Sequence, residues 1–336
     1  MGVALATHDS ATTRLRRELQ DIGIANAAID AVWPQWWSAE ASESLSAQAE
    51  LKFTIARRLG LVPSSLFDGN PRFIWRDEAR FKSISVENEA ERAAITSFGV
   101  SVASALIESV EQSDEAGRVP PEELRAAVLR SFNVVDLGGL LSYCWAVGIP
   151  VAQLTVFPLT AKRMHAMSAG TANGRAVLLG RTSTYASQAA YLIAHELGHI
   201  GLGHVHGTGG IVEMRDPLTE LADDEEERDA DRYALTVLLG SSDALVESDQ
   251  ERYNASQLAD AAVRAGRELR IDPGVLALCL GHSTGRWEQT FGALKVLFGE
   301  RQPVGRDINR VAIAAARDAG VAFGTLEYLR QVLSAS

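Results

Sequence analysis

The chain has 336 residues, 46% of them hydrophobic and 22% charged, with a formal net charge of −11. This is a globular composition, long enough for two or three domains, and its acidic excess argues against a protein whose main task is to grip a phosphate backbone. Two cysteines, Cys144 and Cys279, are too few for a disulfide framework and read as small core residues of a cytoplasmic protein; neither a signal peptide nor an 18-residue apolar span is visible.

Residues 1–82 read as a small helical domain. Thr12 to Ile22 carries one helical pattern and Ala47 to Leu59 another, closed by Gly60. Trp33, Trp36 and Trp37 lie between them and are expected in the core or at a domain contact. Glu50 to Leu61 resembles part of a helix-turn-helix. Ten Lys/Arg against ten Asp/Glu over residues 1–82 do not favour DNA binding by this segment over docking of a protein partner. Phe73 to Lys82 reads as a strand or a connecting arm. Residues 83–121 supply a connecting helix, about Glu87 to Val110, and a polar linker ending in Pro120-Pro121.

The segment 122–240 opens with helix, including Leu137 to Trp145, and then turns strand-like. Ile149 to Phe157, Met164 to Ala169 and Arg175 to Gly180 suit three strands, with Asn173-Gly174 as a tight turn. A helix follows at once, with apolar Ala189, Leu192, Ile193, Leu197 and Ile200 at helical spacing. It contains His195-Glu196-Leu197-Gly198-His199, the pattern H-E-x-x-H. Residues four apart share a helix face, so His195 and His199 can direct imidazole nitrogens at one ion while Glu196 reaches a water beside it. Zinc-dependent hydrolysis needs that combination: neutral imidazole ligands, a position for water and a carboxylate to take its proton.

A third ligand is required. His204 is one residue short of the position that would extend the pattern as in metzincins, where Val205 stands instead. Glu227-Arg228-Asp229-Ala230-Asp231 offers E-x-x-A-D, with Glu227 and Asp231 four apart on one helix face. Glu227 is expected to bind zinc and Asp231 to accept the second ring N–H of a ligand histidine. Asp223, Asp224, Glu225 and Glu226 suit a solvated helix start. Tyr185, His165, His204 and His206 are candidate transition-state donors that read more simply as surface or supporting residues, and His8 and His282 as surface histidines. The remainder, 241–336, reads as helical: Asn254 to Leu269, Pro273 to Leu280, a turn over Gly281 to Gly285, Trp287 to Leu297, and Asn309 to Leu333.

Ala194-His195-Glu196-Leu197-Gly198-His199, followed by Glu227-x-x-Ala230-Asp231-x-Tyr233-Ala234, resembles the ImmA/IrrE family of metallopeptidases over about 149–240. The family pattern often has asparagine at the position of Asp231 and phenylalanine at that of Tyr233. The resemblance implies a zincin-like α+β fold, predominantly helical, with a small antiparallel sheet packed on the H-E-x-x-H helix and helical flanking domains. It implies one Zn2+ per chain held by His195, His199 and Glu227, with Glu196 as general base. It further implies a cytoplasmic endopeptidase of narrow specificity that cleaves a transcriptional repressor in a stress, prophage or mobile-element response. The alternative is a metal-bound module that senses or sequesters a regulator, or binds DNA, without cutting.

Overall fold

The computed structural model describes residues 11–75, 79–82, 89–111, 118–160, 164–214, 224–242, 246–247 and 252–334. In chain order the elements are α1 (Ala11–Asp21), α2 (Asn26–Val32), α3 (Ala39–Ser42), α4 (Leu45–Leu59), α5 (Pro63–Phe67), β1 (Ala79–Lys82) and α6 (Glu89–Ile107). Next come α7 (Pro121–Leu129), α8 (Leu137–Ala146), β2 (Val151–Gln153), β3 (Ala166–Thr171), β4 (Gly174–Leu179), α9 (Ala186–Gly201), β5 (Gly209–Glu213) and α10 (Glu225–Leu239). Five helices finish the chain: α11 (Ala255–Leu269), α12 (Pro273–Thr284), α13 (Trp287–Phe298), α14 (Val304–Asp318) and α15 (Phe323–Leu333). The fold is α+β and predominantly helical.

One five-stranded sheet, ordered β1-β5-β3-β4-β2, divides the molecule. Successive strand residues point to opposite faces, and the burial partners follow that parity. Val151, Ala166, Val177, Leu179 and Ile211 join the apolar cluster around α9. Ala152, Met167, Ala169, Ala176, Leu178 and Val212 join a second cluster around α6, which also takes in α1, α2, α4 and α15. Both covering helices are apolar nearly all round, as helices buried on every side must be: α9 is buried without interruption from Ala189 to Ile200, and α6 from Ala93 to Val100.

The sheet is mixed, not antiparallel as expected. The β3–β4 hairpin and the β3–β5 pair are antiparallel, but β1–β5 and β2–β4 are parallel. A tight turn dictates direction only for the strands it joins, so the sequence carries no such signal for β1, β2 or β5. The hairpin turns over Ala172-Asn173, pairing Thr171 with Gly174, one residue earlier than expected. The strand expected over Ile149 to Phe157 is only Val151–Gln153. Its outer edge is closed by a side chain: the Gln153 N–H donates to Asn309 Oδ1 (2.8 Å) and Asn309 Nδ2 donates back to the Gln153 carbonyl (2.7 Å). An edge so covered is protected from pairing with another chain.

Most expected helices are present, with small shifts. The turn expected at Gly281 to Gly285 is instead the last helical turn of α12, ended by Gly285 in the left-handed conformation. Gly281 lies within the helix because a Cβ there would stand 2.5 Å from Thr290 Oγ1 of α13. The single helical end read over Asn309 to Leu333 is two helices, α14 and α15. Of the Phe73 to Lys82 arm, Phe73 makes an isolated bridge to Leu61 and Ala79–Lys82 forms β1; residues 76–78 lie outside the described ones, as do 112–117 of the polar linker. Trp33 and Trp37 are half-buried, with the Arg16 guanidinium 4.3 Å from the Trp33 ring centroid, while Trp36 is exposed. Cys144 is buried and Cys279 half-buried, and burial pushes both thiols up to about 12. Among the described residues no helix is long and apolar enough to cross a membrane.

A buried ion pair fastens the last helix to the N-terminal helices. Arg58 Nη2 lies 3.0 Å from Glu327 Oε2, with side chains 3% and 5% exposed. Arg58 also donates to the carbonyls of Val32 and Gly324, and Glu327 Oε1 accepts the Gln35 N–H at 2.7 Å. Removing one partner strands a buried charge and costs about 3–5 kcal/mol, whereas replacing both with apolar residues is near neutral. Urea denaturation should therefore show a loss of that order for Glu327→Ala and a much smaller one for Arg58→Met with Glu327→Leu. Equal losses would contradict this role for the pair.

Candidate metal centre

Helix α9 begins at a capping box: the N–H groups of Thr184 and Tyr185 donate to Gln188 Oε1 at 3.0 and 3.1 Å. Tyr185 is a cap residue whose hydroxyl donates to the carbonyls of Gly299 and Glu300, away from the histidines. Helix α10 begins at Asp224, whose Oδ1 accepts the Glu227 N–H at 2.9 Å, and its acidic first turn suits the positive end of the helix dipole.

The two helices meet at glycines. A Cβ on Gly198 would stand 2.9 Å from Ala230 Cα, and one on Gly201 would stand 2.9 Å from the Tyr233 ring. With no side chain at either position, α10 lies close against α9. The E-x-x-A-D turn is thereby delivered to the histidine face.

The geometry that results is a compact donor cluster. His195 Nε2 and His199 Nε2 are 3.2 Å apart. Glu227 straddles them, with Oε2 3.4 Å from His195 Nε2 and Oε1 3.4 Å from His199 Nε2. A fourth group, Glu213, brings Oε1 to 3.6 Å from His199 Nε2. One donor atom from each of these four buried residues lies within 4.8 Å of all the others. Two ligand atoms each roughly 2.0–2.2 Å from one zinc stand about 3.3–3.6 Å apart at a tetrahedral angle. The spacings among His195, His199 and Glu227 match, so these residues fit a single metal ion.

Supporting contacts fix the imidazoles. Asp231 Oδ1 lies 3.0 Å from His195 Nδ1 and also accepts the Tyr191 hydroxyl at 2.9 Å. That is the position expected for Asp231, and it leaves Nε2 of His195 to face the cluster. His199 Nδ1 is 3.0 Å from His204 Nδ1, so His204 supports the second histidine and is not a ligand. His206 is exposed, and His165 lies 3.4 Å from Arg181 through its Nε2. His282 is an exposed residue of α12, and His8 lies outside the described residues.

Sequence reasoning missed Glu213. It ends β5, a strand that the sequence reading does not include, two residues after Ile211 and therefore on the α9 side of the sheet. The available signal was an acidic residue at an inward position of Gly209-Gly210-Ile211-Val212-Glu213. Ser168 was missed for a similar reason. Its hydroxyl donates to Glu196 Oε2 at 2.5 Å and holds that carboxylate beside the cluster. Among the described residues nothing hydrogen-bonds the buried Glu196 Oε1.

The electrostatics favour a cation. Burial opposes the His195 imidazolium, but hydrogen bonds to Asp231 and Glu227 and the field of Glu213 outweigh it and raise its pKa well above the usual histidine value. Burial pushes the Glu196 carboxyl up to about 7; the His195 charge and the Ser168 hydrogen bond oppose that rise, and Glu227 adds to it.

Comparison with family models, with curated proteins and with solved structures gave no match. The carboxylates around His195 raise its pKa, and a metal needs its ring nitrogen as a neutral donor, so metal and proton compete for the site. Calorimetric titration with Zn2+ in buffers of different ionisation enthalpy should show one ion per chain, net proton release, and affinity that falls on acidification. Asp231→Asn should weaken affinity by about 10–100-fold, and unchanged affinity would remove Asp231 from the site.

Proposed function

We propose that the chain is a zinc-dependent endopeptidase of narrow specificity, with a protein substrate of the transcriptional-repressor class. The observation that carries this reading is the meeting of His195, His199 and Glu227 in one buried cluster with the Glu196 carboxylate at its side. His195, His199 and Glu227 would hold zinc, which supplies Lewis-acid polarisation of a carbonyl and acidification of a water. A zincin-like core accounts for the arrangement of α9, α10 and the sheet face beneath them.

The chain's own residues would do the proton work. Glu196 is held by Ser168 through Oε2, which leaves Oε1 without a hydrogen-bond partner among the described residues. It takes the proton of the attacking water and returns it to the leaving amine. Asp231 and His204 contact the two imidazoles at Nδ1 and leave each Nε2 toward the cluster. The buried surroundings strengthen every charge interaction in the site.

A second reading is supported by Glu213. Four protein donors around one ion describe a structural site, whereas a catalytic site keeps one position open. A metal-bound module that captures a regulator without cutting it fits that coordination. DNA recognition through residues 1–82 has less support: Arg58, in the segment that resembles a helix-turn-helix, is consumed by its buried pair with Glu327.

Incubation with repressors encoded near this chain, followed by mass spectrometry of the products, separates cutting from capture. Glu196→Gln should retain zinc and lower the cleavage rate by about 10²–10⁴-fold. The same product pattern from wild type and Glu196→Gln would remove Glu196 as the base. Binding without cleavage by the zinc-loaded wild type would favour the module.

A further inference from the structure

We propose that Ser168 is the positioning residue of the site: its hydroxyl sets how the Glu196 carboxylate is held beside the metal centre. The inference rests on the reading of Glu196 as general base and names the residue on which that base depends.

Ser168 lies in β3, the middle strand of the sheet, where antiparallel pairing with Val177 of β4 and Ile211 of β5 fixes its backbone on both edges. It shares a face with Ala166, and Ala166, Val177 and Ile211 all belong to the apolar cluster around α9. A serine in that row is fully buried, and a buried hydroxyl destabilises the fold unless it is hydrogen-bonded. Its partners both belong to one residue: Glu196 Oε2 at 2.5 Å and the Glu196 main-chain carbonyl at 3.0 Å.

A serine hydroxyl carries one hydrogen, so the two acceptors compete for it. The carboxylate contact has the length of a charge-assisted O–H···O⁻ bond, about 2.5–2.7 Å, and takes the hydrogen. The dependence also runs the other way. Glu196 is fully buried, and among the described residues Ser168 is the one hydrogen-bond donor to its carboxylate. A glutamate side chain has several staggered positions open to it, and a bond to a hydroxyl fixed on the central strand selects one of them. Neither hydrogen-bond contact of Ser168 goes to His195, His199 or Glu227. Ser168 therefore acts on the base and not on the metal, and it keeps its own hydrogen while Glu196 takes one from water and returns it.

A double-mutant cycle on the full-length, zinc-loaded chain tests this, with wild type, Ser168→Ala, Glu196→Gln and the double variant. The substrate is the member of a fluorescence-quenched peptide library that wild type cuts fastest, and circular dichroism confirms folding. Ser168→Ala should lower kcat about 10–100-fold, the loss of one hydrogen bond to a charged group, with KM and zinc affinity unchanged. In the Glu196→Gln background the same substitution should cost less than about twofold, because its effect runs through the carboxylate. An equal loss in both backgrounds, or a zinc affinity that falls together with kcat, makes Ser168 a structural residue and overturns the proposal. Crystals of zinc-loaded Ser168→Ala supply a readout apart from activity. A Glu196 carboxylate displaced from its wild-type position supports the proposal, and one that has not moved overturns it. Should Ser168→Ala not fold, Ser168→Cys, a weak donor of similar size, replaces it in both measurements. A wild type that cuts no peptide of the library removes the peptidase reading, whereas the crystals still decide whether Ser168 positions Glu196.

Discussion

Three carboxylates, those of Glu196, Glu213 and Glu227, converge with two imidazoles in a space nearly closed to water. Buried like charges are costly unless a positive charge joins them. Without a metal the burden falls on protons, which is why His195 tends to keep its proton and Glu196 becomes a weaker acid. A divalent cation resolves the same conflict more completely, since it neutralises several carboxylates and uses the imidazoles as neutral donors. The rest of the structure serves to hold these groups together against their own repulsion.

The scaffold does so by close approach and by parity. Gly198 and Gly201 let α10 settle on α9 without intervening side chains, so the cap at Asp224 fixes where Glu227 arrives. The sheet contributes from the opposite side, because the alternation that puts Val177, Leu179 and Ile211 into the α9 cluster also turns Ser168 and Glu213 toward the site. The second core, around α6, backs the sheet and is tied to the chain's last helix through Arg58 and Glu327.

The parts of the site written in local spacing were legible from sequence. His195 with His199, and Glu227 with Asp231, are each four apart on a helix, and the structure brings all four together. A helix closed by glycine was legible for the same local reason, as with Gly60 after α4. What escaped was non-local. Glu213 matters only because β5 pairs with β3, a strand about 40 residues earlier in the chain. The parallel pairs β1–β5 and β2–β4 join segments far apart along the chain. His204 was weighed as a metzincin-type ligand and set aside on register, yet its actual partner is His199, five residues back, through a turn that reverses the chain. Gly281 was read as a turn because glycine ends helices, whereas here it makes room for Thr290 of a neighbouring helix.

Anomalous diffraction at the zinc absorption edge, from crystals of the full-length chain grown with zinc at stoichiometric concentration, tests the central claim most directly. One peak per chain is predicted, within bonding distance (about 2.0–2.2 Å) of His195 Nε2, His199 Nε2 and a Glu227 oxygen. No peak there, or a Glu227 carboxylate standing apart from the paired imidazoles, would contradict the account.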